Sequence, residues 1–72
     1  MAETQTSIQQ LSGVRASEKF FARGAWHMAV AWEGRKLVAR QLTPPGDCLG
    51  APDGATETFQ NRGICVRVLT HD

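Results

Sequence analysis

Large and small side chains alternate along Trp26-His27-Met28-Ala29-Val30-Ala31-Trp32, and the alternation resumes along Lys36-Leu37-Val38-Ala39-Arg40 after Glu33-Gly34-Arg35. Period-two alternation around a glycine-containing break is the pattern of a β-hairpin. A two-residue loop at Gly34-Arg35 sets Trp32 opposite Leu37, and one at Glu33-Gly34 sets Val30 there; the partners differ but the faces do not. Trp26, Met28, Val30, Trp32, Leu37 and Ala39 are thus expected to form one apolar face, either core or interface. The opposite face, with Ala25, His27, Ala29, Ala31, Glu33, Lys36, Val38 and Arg40, is small in its middle. Such a face suits the close approach of a second layer, for which an amphipathic helix is the usual occupant.

A second hairpin is expected from Thr56 to Gln60 and Ile64 to Leu69 through Asn61-Arg62-Gly63, with glycine where a three-residue loop needs positive φ. Ile64, Val66 and Val68 then point one way and Cys65, Arg67 and Leu69 the other. Ahead of the first hairpin, Thr6 and Gln9 have the spacing of a capping box, and Ile8 and Leu11 share a face of a short helix stopped by Gly13. An edge strand from Ser7 to Ser12 is the competing reading. Ser17 is an N-cap candidate for a second short helix through Phe20 and Phe21 to Gly24, with acid at its start and base at its end. The adjacent phenylalanines also suit a strand.

All three prolines and three of the seven glycines lie between Thr43 and Gly54. Residues 43–55 are therefore expected as a long loop, and residues 1–6 as a frayed polar end. The fold class these elements predict is α+β: one small domain over residues 1–72, with about four antiparallel strands and short N-terminal helical segments. A small all-β barrel is the alternative.

At 72 residues the chain is near the lower limit for independent folding. Its net charge of +1 neither requires nor excludes a polyanionic partner. The N-terminus lacks the basic and then apolar order of a signal peptide, and no apolar run is long enough to span a bilayer. The expectation is a cytoplasmic protein with no membrane contact. Cys48 and Cys65 lack Cys-x-x-Cys spacing, so two free thiols are expected, with Cys65 packed in a strand and Cys48 in a loop; a disulfide is the alternative. A zinc site would need Cys48, Cys65, His27 and His71 from unrelated segments, and neither metal nor cofactor is expected.

No nucleophile elbow, His-Glu-x-x-His, Walker loop or dinucleotide fingerprint occurs, and no enzyme activity is expected. His27, among alanines on a half-buried strand, reads as a structural histidine. The richer set is Trp26 and Trp32 with Arg35, Lys36, Arg40, Arg62 and Arg67, a candidate binding surface of cations beside aromatics. The bland alternative pairs Lys36 with Glu33 and Arg67 with Glu57, lays Arg40 over the sheet edge and buries at least one tryptophan. The function this supports is a non-catalytic protein-binding or regulatory module acting through its sheet, with a protein partner or self-association as a homodimer. Nucleic-acid binding through the Arg and Lys side chains is the alternative, and a small enzyme or metal protein a distant third.

Overall fold

The computed structural model describes residues 5–71, and the side chain of His71 lies outside what is described. Six strands follow one another: β1 (Gln5–Gln10), β2 (Lys19–Ala22), β3 (Ala25–Glu33), β4 (Lys36–Gln41), β5 (Thr56–Gln60) and β6 (Cys65–His71). They form one antiparallel sheet in the order β1-β6-β2-β3-β4-β5. The α+β expectation is overturned: among the described residues the only helical element is a single 3-10 turn at Leu11–Gly13. The fraying expected for residues 1–6 does not hold for Gln5 and Thr6, which belong to β1; residues 1–4 lie outside the described part.

Both segments with helix-capping signals are strands, and long-range pairing explains why. β2 is hydrogen-bonded on both sides, to β3 and to β6, and buries Phe20 completely. Its approach is pinned to β3 by Ser17 N–H donating to Ala29 O at 2.8 Å and Ala29 N–H to Glu18 O at 2.8 Å. A helix over Ser17 to Gly24 would forfeit both ladders. The capping preferences are worth only about 1 kcal/mol each, and sheet context overrides them. β1 gains six register partners on β6, including Ile8↔Arg67, in place of a helix with two apolar residues.

The second expected hairpin is not one. β5 pairs with β4, and β6 pairs with β1 and β2, so the two strands diverge from their short connection. Asn61 N–H extends the β4 ladder by donating to Arg35 O at 2.9 Å, while Ile64 O accepts from Leu11 N–H at 2.9 Å on the β1 side. Residues 61–64 thus carry the chain from the sheet's edge into its interior.

The faces of β3 are also rearranged. Ala29 is registered with Ala39 but Ala31 with Val38, a β-bulge that spends one extra residue at Val30. Before the bulge the inward residues are Ala25, His27 and Ala29, all buried; after it, Trp32 points inward opposite Leu37. The expected apolar face is therefore split, with Trp26 and Met28 on the outer side and Val30 45% exposed. Of the alanine face only Ala25, His27 and Ala29 are core, joined there by Leu37 and Ala39 from the other expected face, while Ala31, Lys36 and Arg40 are exposed; what approaches this core is the sheet itself. Phe20 on β2 and Phe59 on β5 lie three strand spacings apart, about 14 Å in a flat sheet, yet their rings meet edge to face at 5.2 Å. The sheet curls around Phe20, Leu37, Phe59, Val66 and Val68, and Leu11 and Val14 from the β1–β2 connection cap this core. The curl does not close into a barrel by hydrogen bonding, because β5 ends the strand order unpaired on its outer side.

Residues 42–55 fold back on themselves through the bridge Thr43↔Ala51 and return to β4 where Gly54 N–H donates to Gln41 O and Gln41 N–H to Ala55 O. Gly54 has to be glycine: a Cβ there would stand 2.6 Å from Gln41 O. Both cysteines are free thiols, Cys65 in a strand and Cys48 in the loop as expected, but Cys65 is exposed rather than packed, and Cys48 is half-buried.

Candidate functional site

The outer face of the sheet carries two cross-strand rows. Registers Ile8↔Arg67, Phe21↔Arg67 and Phe21↔Trp26 line up Ile8, Arg67, Phe21 and Trp26 across β1, β6, β2 and β3. Registers Lys19↔Met28, Met28↔Arg40 and Arg40↔Thr56 line up a second row beside it. Directly opposed side chains on one face stand about 5 Å apart. Ile8 is 60% and Phe21 36% exposed, and Phe21 meets Trp26 edge to face at 5.6 Å. Three cations, Lys19, Arg40 and Arg67, thus share a surface with two aromatics, and neither row contains a carboxylate.

The structure separates the candidate residues read from sequence. Trp26, Arg40 and Arg67 come together on this face. Trp32 does not: it is half-buried against the core, and its indole N–H donates to Val14 O at 2.7 Å. Arg35 is exposed in the β3–β4 turn, and Lys36 follows it opposite Glu33, at the far end of the sheet from the aromatic row. Arg62 lies in the β5–β6 connection and donates to Gln60 Oε1 at 2.9 Å. Arg67 does not pair with Glu57, which is inward on β5; it donates to Thr6 Oγ1 at 3.0 Å. Arg40 lies over the edge as expected, donating to Gly54 O from Nε at 3.2 Å and Nη2 at 3.0 Å. Sequence reading missed Ile8, Lys19 and Phe21 as surface residues, because it placed them on helices covering the sheet.

Glu57 has other partners. His27 is fully buried between Phe20, stacked at 5.6 Å, and Phe59, edge-on at 5.0 Å. Its Nε2 lies 2.6 Å from Glu57 Oε2, its Nδ1 3.1 Å from Ala25 O, and Arg23 Nη1 donates to Glu57 Oε1 at 3.3 Å. Both ring nitrogens lie within hydrogen-bond distance of an oxygen atom. The His27 hydrogen bond is the largest influence holding the Glu57 carboxyl below its ordinary range; desolvation opposes it, and the charges of His27 and Arg23 add to it. With every nitrogen of the ring satisfied and no access for a substrate, this cluster is an internal clamp between β3 and β5. His27 is thus buried with a hydrogen-bond partner at each ring nitrogen.

Where β5 and β6 diverge, a groove of about 570 Å³ opens, with Phe21, Phe59 and Val66 among its walls and Arg23 and Arg62 beside them. Among the described residues no three His, Cys, Asp or Glu side chains gather as a metal site, and no helix is long and apolar enough to cross a membrane. No family model, no curated protein and no solved structure matches this chain.

Proposed function

We propose that the chain is a non-catalytic protein-binding module whose contact surface is the outer face of its sheet, and that the partner there presents apolar side chains with carboxylates around them. The observation that supports this most is the row Ile8–Arg67–Phe21–Trp26, where a single-layer protein leaves aromatic and aliphatic surface uncovered. Contiguous exposed apolar patches flanked by charge mark contact surfaces. A different protein fits better than a second copy: a two-fold contact through this face would bring the cations Lys19, Arg40 and Arg67 of both copies into one interface with no carboxylate in either row, and like charges across an interface cost several kcal/mol.

The test is affinity capture from cell extract with the wild-type chain and with Phe21→Ser/Arg67→Glu, followed by hydrogen-exchange mapping of the captured complex. Protection along β1, β6, β2 and β3, lost with the double variant, supports the reading; a captured protein that the variant retains equally overturns it. Single-stranded nucleic acid is the second reading, favoured by Phe21 and Trp26 lying beside three cations, a stacking and phosphate-binding combination. A salt-sensitive mobility shift that quenches Trp26 fluorescence would decide for it.

A further inference from the structure

The groove between β5 and β6 is a seam in the curled sheet, and its two walls are backbone. Asn61 N–H and Ala55 O bond toward β4, so the outward-facing peptide groups on β5 are those of Thr56, Thr58 and Gln60. They have no strand partner, because β5 is the last strand of the sheet; the one contact from across the seam is Arg23 Nη2 donating to Thr58 O at 3.3 Å. On the facing wall, Ile64 O bonds toward β1, so Cys65 turns its N–H and C=O to the β2 side. β2 does not reach that far, since its pairing with β6 ends at Phe21↔Arg67. The outward groups of Thr56, Thr58 and Gln60 on β5 and those of Cys65 on β6 therefore border one gap. A shape of this kind is complementary to an extended chain, which can bond to both walls at once.

The charges restrict what that chain carries. Arg23 and Arg62 bracket the seam at the levels of Thr58 and the β5–β6 connection, and no carboxylate is among the lining residues. Arg23 is also held by Glu57 and lies 4.3 Å over the Phe59 ring, while Arg62 touches only Gln60 and is free to take a new acceptor. From Thr58 to Asn61, where the connection begins, β5 runs through four residues at about 3.3 Å each, which sets the length of a matching extended segment at about four residues. Their alternate side chains would fall toward Phe59 and Val66, which asks for apolar residues at every second position.

We infer that this seam is a strand-addition site for an extended peptide segment of about four residues that alternates apolar and acidic side chains. The segment would insert between β5 and β6 and complete the hydrogen bonding of the curled sheet. The site meets the outer-face rows at Phe21, which belongs to both, but its backbone groups on β5 and at Cys65 lie outside those rows, so the two proposals are read out at different residues.

The experiment is backbone amide NMR of the intact chain titrated with a blocked hexapeptide alternating valine and aspartate. Saturable shifts centred on the amides of Thr58, Gln60 and Cys65, with slowed hydrogen exchange there, are expected. Arg62→Glu, whose side chain makes no core contact, should weaken binding roughly tenfold or more, and the lysine-for-aspartate peptide should bind correspondingly less. A peptide N-methylated at the residues facing β5 should bind much more weakly, because it cannot donate to that wall. Four outcomes would overturn the inference: no saturation at millimolar peptide, equal binding of the lysine peptide, shifts confined to Ile8, Phe21 and Trp26, or concentration-dependent shifts at the seam without peptide, which would assign it to a second copy.

Discussion

Trp32 lies on the same side of the sheet as His27 although it is five positions further on, an odd step that would otherwise put it on the opposite face, because the bulge at Val30 shifts the alternation by one. The same step puts Trp26, one residue before His27, on the outer surface. Two tryptophans that look equivalent in the sequence thus have different roles.

Their removal should differ accordingly. Trp32→Ala strips a ring packed on the core and leaves Val14 O without its donor, and is expected to cost about 3 kcal/mol. Trp26→Ala removes a half-exposed ring and should cost no more than about half of that. Denaturant unfolding with unchanged m-values checks both; equal costs would mean that the bulge does not divide the faces.

Glu57 joins β5 to β3 through His27 and to the β2–β3 turn through Arg23. Glu57→Leu leaves the buried His27 Nε2 without an acceptor, and an unsatisfied buried polar group costs about 1–3 kcal/mol. Glu57→Gln keeps an acceptor and should lose less. Thermal unfolding of the two variants side by side is the measurement, and the reverse order would refute the clamp.

The same carboxylate sets an acid limit. Folding lowers its pKa from 4.5, so the stability it contributes is present above pH 4.5 and is lost as pH falls through the lower folded value. The unfolding midpoint of the wild type is expected to drop below about pH 4.5, and Glu57→Gln should flatten that part of the profile. Identical acid slopes in the two proteins would assign the sensitivity to other groups.

The return of the long loop depends on close backbone approach. Gly54→Ala would place a methyl 2.6 Å from Gln41 O and is expected to destabilise by roughly 1–3 kcal/mol. Gly46→Ala meets nothing within 4 Å and should be near neutral. Similar midpoints for the two variants would show that the loop yields at no cost.

The strand positions of β3, β4, β5 and β6 were legible because period-two alternation and turn glycines are local properties of the chain. That Val66 and Val68 share one face followed from the same pattern, and the structure shows that face to be the inner one. Capping signals at Thr6 and Ser17 misled, since a cap is a small local preference and a strand partner on both sides outweighs it. That is why Ile8, Lys19 and Phe21 were absent from the candidate surface.

What the sequence determined by itself is that this chain builds β-structure around a few large apolar residues and bears no recognised catalytic motif. Tertiary structure alone decided which face is core, because one bulge residue inverts every side chain beyond it and nothing in Ala29-Val30-Ala31 marks the place. It also decided that β5 and β6, adjacent in sequence, part company. β6 gains partners on both sides by joining β1 and β2, and β5 gains one by joining β4, whereas a local hairpin would have left the sheet divided and Phe20 and Phe59 far apart.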